Sequence, residues 1–503
     1  MNLPLRYLPI LPLLAFSAPS VMAQAPEASE DVMLQGFYWD SQQATGWTQL
    51  TEFAAEIGQS FTCIWLPPSA SPEWGGDVVG GQNVGYHPRE WNNQNSCWGT
   101  AESLKGLTSA LHQHGVKVIA DVVVNHRAGA TGWGDFTQDN FGVYGNYQLT
   151  SDHICNNDEM NTDASSGSWY GLAKGARDTG ENWGGARDLD HTSSYVQEDC
   201  KAYLNWMKGE YGYDGWRYDF CKGFSGEYVG IYNDASQPFL SVGEYWDGSY
   251  DAVAAWIDKT GKKSMAFDFP MKYAALNNGL AKGDYAAMSW IEDNTTWRPA
   301  GMIHHHKYNR YSVTFVDNHD SYKDGNKYLG NIGQAYAFIL SAPGVPCVFW
   351  VHWRGLQKNI EAQIAARRLA GIHSQSDCEV KVRSGYYESH TQGKNGTLIC
   401  RIGAKAPATA PAGYTEVCGV ANSWHYYLPS DLASLSETPT QEVAISLFGR
   451  MLEIASPSVT SVKVVSIDGQ VVMQEQTASL CQELSPGLYV VSAGDVVKKI
   501  IVR

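Results

Sequence analysis

Between residues 31 and 372 the chain alternates short apolar runs with longer amphipathic stretches, and this rhythm narrows the possible folds more than any other feature. Eight runs have strand character: VMLQGFYW (32–39), FTCIWLPP (61–68), VKVIADVVVNH (116–126), GWRYDF (215–220), FLSVGEYW (239–246), SMAFDFP (264–270), YSVTFVDNHD (311–320) and VPCVFWVHW (345–353). Helical patterns such as AESLKGLTSALHQHG (101–115) and SSYVQEDCKAYLNWMKGEYG (193–212) lie between them. The alternation predicts an α/β fold, a (β/α)8 TIM barrel, longer than the ~250 residues such a barrel usually takes. Residues 127–187 account for part of the excess. They form a loop-rich insertion after the third strand, rich in Gly, Asn and Asp, and too long to be a plain connection.

The helical rhythm stops near residue 373. The runs GTLICRIG, TEVCGV and SWHYYLP predict a small antiparallel β domain over 373–430, after a barrel spanning 24–372. A linker at 431–441 leads to a β-sandwich-like tail, 442–503. There SVKVVSIDGQVVM and GLYVVSAGDVVKKIIVR carry Asp-Gly and Gly-Asp hairpin signals. At the other end, one Arg, a short apolar run and Val21-Met22-Ala23 read as a signal peptide over 1–23. No later stretch is apolar for the ~20 residues of a spanning helix, so no transmembrane anchor is expected. The net charge of −16 argues against nucleic acid as a partner. Of the ten cysteines, Cys63, Cys221 and Cys347 sit in strand-like runs and read as buried thiols; the pairing of the rest is open.

In a barrel of this kind function gathers at the carboxyl ends of the strands. Those ends carry Asn125, His126, Arg217, Asp219, Glu244, His319 and Asp320. Two carboxyl groups flanking a glycosidic bond make a hydrolase, one as nucleophile or base and the other as proton donor. Arg217 and Asp219, two apart on a strand, project to one side. The guanidinium is expected to lower the Asp219 pKa, which suits a nucleophile. Glu244 has no cation at its own strand position and is followed by Tyr245 and Trp246. Apolar surroundings would raise its pKa, as a general acid requires. The run His304-His305-His306 reads as exposed loop, since three adjacent side chains seldom converge on one ion.

The ordered series DVVVNH (121–126), DLDH (188–191), GWRYDFCKG (215–223), VGEYW (242–246) and FVDNHD (315–320) resembles the motif series of the α-amylase family. LQGFYWD, IWLPP, VGYHP, FDFP and SAPGVPCVFW resemble the plant and archaeal members. The likeness covers about residues 31–430. It implies Asp219 as nucleophile, Glu244 as acid/base and Asp320 as the carboxylate that binds and distorts the sugar. It further implies Arg217 as the residue orienting the nucleophile, His126 and His319 as sugar ligands, Tyr86 as an aromatic platform, and Lys222 and Trp246 as further substrate-binding residues. By the same resemblance, Asn125, Asp178, Asp188 and the carbonyls of Glu181 and Gly223 bind one Ca2+, an ion that takes six to eight oxygen ligands. Such an ion would pin the insertion beside the cleft.

The implied activity is a secreted, retaining, endo-acting α-amylase acting on starch and related α-glucans. A 4-α-glucanotransferase and a non-catalytic glycan-binding protein are the alternatives. The tail, with VKVVSIDGQVV, LSPGLYVV and VVKKIIVR, resembles the carboxy-terminal sorting domain of type IX secretion. Its lack of Trp speaks against a starch-binding module. The expectations are therefore a monomer, secretion machinery engaged by the tail, and a secreted or outer-membrane surface location.

Overall fold

The computed structural model describes residues 25–72, 78–79, 82–323, 325–435, 443–448, 450–494 and 496–502. The signal peptide and most of the linker lie outside these. Eight strands close into a parallel barrel: Met33–Gln35 (β1), Cys63–Leu66 (β2), Lys117–Val122 (β3), Gly215–Tyr218 (β4), Ser241–Gly243 (β5), Met265–Phe267 (β6), Ser312–Phe315 (β7) and Val345–Phe349 (β8). Each falls inside one of the eight apolar runs. They are shorter than those runs because the residues past each strand end leave the ladder to form the rim.

Helices cover the barrel by burying one stripe. Ala101–Gln113 (α1) buries Leu104, Leu107, Thr108 and Leu111, the i, i+3, i+4, i+7 spacing of a single face. Thr100 caps it by accepting the Ser103 N–H. Ser194–Tyr211 (α2) ends at Gly212, whose φ of 73° is the left-handed conformation that suits a helix end. Ile332–Ser341 (α3) and Trp350–Ala370 (α4) pack against each other and against β8.

The insertion leaves and returns at one place. His126–Arg127 pairs antiparallel with Arg187–Asp188, so both ends of the excursion are stitched beside the end of β3. Inside it, buried Arg127 pairs with Asp139, and Arg187 Nη1 lies 2.6 Å from Asp158 Oδ1. These buried pairs stand beside an apolar core that includes Phe136, Phe141, Leu149, Ile154 and Met160 of the insertion.

Five antiparallel strands follow: Asp377–Ser384 (β9), Tyr386–Gln392 (β10), Thr397–Ile402 (β11), Tyr414–Val420 (β12) and Trp424–Pro429 (β13), in the order β9-β10-β11-β13-β12. The last three were legible as strands. β9 and β10 were not, because DCEVKVRS is a half-exposed edge strand that intersperses charges and YYESHTQ, though paired on both sides and largely buried, is mostly polar. The tail forms a separate antiparallel sheet of Ala444–Phe448 (β14), Met451–Ser466 (β15), Val471–Glu483 (β16), Gly487–Ala493 (β17) and Val496–Val502 (β18). It has its own core, including Leu452, Val462, Val464 and Val491. The Asp-Gly signal marks the β15–β16 hairpin, where Gly469 takes φ 85°.

Cys63, Cys221 and Cys347 are buried, and no two of the ten cysteines form a disulfide among the described residues. No helix among the described residues is long and apolar enough to cross a membrane.

Candidate active site

Register brings the opposite charges together. Arg217 in the middle of β4 lies beside Asp121 of β3 and Val242 of β5. Its Nη1 is 2.7 Å from both Asp219 Oδ1 and Asp121 Oδ1, and its Nη2 is 2.7 Å from Glu244 Oε1. The guanidinium is fully buried, with its carbon 4.9 Å from the Trp65 ring centre. One cation therefore serves three carboxyl groups. The Nη2–Glu244 contact is close but lacks hydrogen-bond alignment. Glu244 Oε1 keeps its hydrogen-bonding capacity, while Oε2 accepts the Phe220 N–H at 3.2 Å. Phe220, next to Asp219, has φ 40°. A bulky residue in that region is strained, and such strain concentrates at functional sites.

Two expectations about charge need correction. Glu244 does have a cation: it sits two residues past Val242, within reach of the long Arg217 side chain. Asp219 is not lowered overall, because its burial outweighs the pull of Arg217 and raises it above the ordinary value. Burial pushes the Glu244 carboxyl up to about 8, opposed by Arg217 and reinforced by the charges of Asp219 and Asp320. Asp121 is raised by burial to about 7, again against Arg217.

A hydrogen-bond chain braces this centre. Gln35 Nε2 donates to His319 Nδ1 at 3.0 Å, so His319 Nε2 carries the proton toward Tyr86 Oη at 2.7 Å. Tyr86 Oη donates to Asp121 Oδ2 at 2.9 Å, where Trp65 Nε1 also donates at 3.0 Å. The Tyr86 and His319 rings stack at 5.2 Å. Burial holds His319 well below the usual histidine range, consistent with the neutral tautomer the chain requires. His126 is engaged likewise: Nε2 bonds the Tyr86 carbonyl at 2.8 Å, Nδ1 lies 3.2 Å from Asn125 Nδ2, and its ring stacks on Trp183 at 3.8 Å. A sugar hydroxyl would have to displace one of these partners to reach either histidine.

Asp320 stands at the rim after β7, a quarter exposed, its Oδ2 3.3 Å from His319 Nε2. Lys222 follows β4 and reaches Asp247 at 3.0 Å and the Glu181 carboxylate at 3.5 Å. Lys222, Glu181 and Tyr245 line a cavity of about 240 Å3. Trp246 is half-buried, stacked on Phe269 at 4.9 Å and donating to Tyr273 Oη at 2.7 Å. His305 and His306 turn to different acids, Glu292 at 3.7 Å and Asp377 at 3.4 Å, and do not converge.

The residues expected to hold an ion gather at the root of the insertion. Asn125 Nδ2 donates to Asp188 Oδ1 at 3.1 Å. Asn125 Oδ1 presses on Gly223 so closely that a Cβ there would lie 2.0 Å away. Asp178 Oδ2 is buried with no hydrogen-bond partner. Burial raises Asp178, and burial with the charges of Asp178, Asp158 and Glu159 pushes Asp188 up to about 8. Among the described residues no three His, Cys, Asp or Glu side chains converge as a metal cluster. The set is instead two crowded carboxylates, one with an orphaned oxygen, beside an amide oxygen. That donor chemistry fits a hard cation taking oxygen ligands. The Glu181 side chain turns away toward Lys222, leaving only its carbonyl as a candidate.

Sequence reasoning passed over Asp121, Trp65, Gln35 and Trp183. Asp121 carried the same signal as Arg217, a charge within an apolar strand.

Eight parallel strands with a cation-bridged carboxyl trio at their carboxyl ends define a barrel enzyme of the glycoside hydrolase class. The α-amylase catalytic domain family matches residues 44–356, and the chain belongs to that family. It is 33% identical over 383 residues to the probable alpha-amylase 2 of Arabidopsis thaliana, covering 71% of this chain and 85% of that one. Against the chloroplastic alpha-amylase 3 of the same plant it is 34% identical over 373 residues, 70% of this chain but 39% of that relative. The fold matches the crystal structure of an alpha-amylase from Geobacillus thermoleovorans complexed with acarbose, with a TM-score of 0.54 at 15% identity over 91% of this chain and 97% of that one.

Proposed function

We propose that the protein is a retaining, endo-acting α-amylase that hydrolyses internal α-1,4 bonds of starch and related glucans. The observation that carries this reading is Arg217 joining Asp219 and Glu244 from adjacent strands in one buried contact. In the first step Asp219 attacks the anomeric carbon while Glu244 gives its proton to the leaving oxygen. In the second, Glu244 takes a proton from water, which displaces Asp219 from the glycosyl-enzyme. A Glu244 pKa of about 8 keeps the acid protonated at neutral pH. Asp320 would grip the sugar ring, Tyr86 and Trp246 would offer aromatic surface, and Lys222 would stand on the leaving-group side. His126 and His319 would act by exchanging a present partner for a hydroxyl.

A Ca2+ ion held by Asn125, Asp178, Asp188 and the carbonyls of Glu181 and Gly223 would pin the insertion against the barrel and take no part in bond cleavage. Trp183 links that site to the cleft: its backbone N–H donates to Asp188 Oδ2 at 2.9 Å while its ring covers His126. Chelation is therefore expected to shift tryptophan fluorescence and lower the melting temperature together, with calcium restoring both. An unchanged spectrum and melting curve would remove the ion from the account.

The pH profile follows from the raised carboxyls. Activity is expected to fall above about pH 8, as Glu244 loses its proton, and on the acid side at a pH above the ordinary Asp value, as Asp219 gains one. Initial rates from pH 4 to 10 check this, and a rate still rising between pH 8 and 10 would contradict it.

The proposed organisation is a signal peptide at 1–23, a barrel at 24–372 with the insertion at 127–187, a β domain at 373–430, a linker at 431–441 and a sorting domain at 442–503. The tail's separate core supports its reading as an independent export module, in a monomer released from or displayed on the cell surface. The deciding experiment is timed digestion of soluble starch with product lengths and viscosity followed. Rapid viscosity loss supports internal cleavage; slow release of one small sugar opposes it. Chains longer than a maltooligosaccharide substrate would show glucanotransfer.

A further inference from the structure

Near Asp320 in the chain lies another buried ion pair that the proposed chemistry does not use. Lys272 and Asp317 are both fully buried, with Nζ 2.7 Å from Asp317 Oδ1 and 2.7 Å from the Val316 carbonyl oxygen. Lys272 opens the segment Lys272–Gly279, which follows the wide i→i+5 helical pattern after β6. Asp317 lies just past β7. The pair thus ties two neighbouring barrel rims.

The Asp317 carboxylate is also the hub of the loop that bears the active-site residues. Ser321 Oγ donates to Oδ1 at 3.0 Å, and the Tyr328 N–H donates to both oxygens at 3.1 and 3.2 Å. Asn318 tightens the turn, its Oδ1 accepting the N–H groups of Asp320 and Ser321 at 3.0 and 2.7 Å. From α4, His352 Nε2 faces Asp317 Oδ2 at 3.8 Å, while its Nδ1 meets Tyr336 Oη at 3.0 Å. Ser321 and Tyr328 are therefore gathered onto one carboxylate, and His319 and Asp320 sit in the turn between Asp317 and Ser321.

A buried pair of this kind is a poor way to gain stability, since apolar residues of equal volume often do as well. Its value lies in geometry: an ammonium with two directed bonds fixes where the carboxylate sits, and the carboxylate fixes the loop. We propose that Lys272 is a positioning residue for the glycosidic reaction, holding Asp320 and His319 in register with Asp219 and Glu244 through Asp317. This rests on the assignment of Asp320 to the sugar ring.

The test compares wild type, Lys272→Met and the double variant Lys272→Met/Asp317→Asn on a maltooligosaccharide, with melting temperatures beside kcat and KM. Lys272→Met leaves a buried carboxylate unpaired, so both melting temperature and kcat should fall. The double variant removes both charges and should recover most of the melting temperature. Its kcat should stay about 10- to 100-fold low with KM within about twofold, since a shift of an ångström in a reacting group costs on the order of 100-fold. A double variant with wild-type kcat, or one whose loss is all in KM, overturns the positioning role. A wild type that cleaves no α-glucan would instead overturn the function on which this role rests.

Discussion

Asp219→Asn is expected to lower kcat on α-glucans by on the order of 10^4-fold or more, the scale of losing a covalent nucleophile. The amide keeps the shape and can still accept from Arg217 Nη1, now 2.7 Å from Oδ1. It loses the charge that forms the glycosyl-enzyme. Removing one of three clustered carboxylates also relieves repulsion with Asp121 and Glu244. The variant should therefore fold as well as the wild type, and its melting temperature should hold or rise. Rates on soluble starch beside a melting curve check both statements. A variant retaining a tenth of the activity would remove Asp219 from the mechanism.

Arg217→Met should do the reverse and damage the fold as well as the rate. It strips the shared cation from Asp121, Asp219 and Glu244, all buried. Removing one partner of a buried charge contact costs about 3–5 kcal/mol. The deficit should depend on pH in a definite sense. Without the cation the folded-state carboxyl pKa values rise further above their unfolded values, so the folded variant holds protons that its unfolded chain has released. Stability then falls as pH climbs from the unfolded carboxyl values toward the raised ones. The gap in melting temperature between variant and wild type should be small near pH 4 and widen as pH passes the wild-type values of about 7 for Asp121 and about 8 for Glu244, where the wild type ionises and the variant still holds its protons. A gap independent of pH would mean that Arg217 contributes packing rather than charge.

The barrel was legible because parallel strands buried on both faces read as continuous apolar runs, and GWRYDF or VPCVFWVHW has no other comfortable reading. Arg217, Asp219, Glu244 and Asp320 were legible because charge at the end of such a run is costly without a purpose. Register between strands was not legible. Nothing local says that Asp121 faces Arg217, or that Arg217 reaches past Val242 to Glu244. The same holds for Lys272 and Asp317, 45 residues apart, and for Trp183, whose ring neighbours His87, His126 and Phe220 all lie outside the insertion. The net direction of the Asp219 shift was also out of reach, since it depends on how deeply the rim buries that carboxyl.

The central claim is that Asp219 becomes covalently bonded to the sugar while Glu244 handles the proton. It is tested most directly by incubating the Glu244→Gln variant with an α-glucosyl fluoride, whose leaving group needs no acid, and mapping the labelled peptide by mass. The account predicts one glucosyl unit on the Asp219 peptide. A label on another carboxylate, or release of β-configured product with no label, would contradict it.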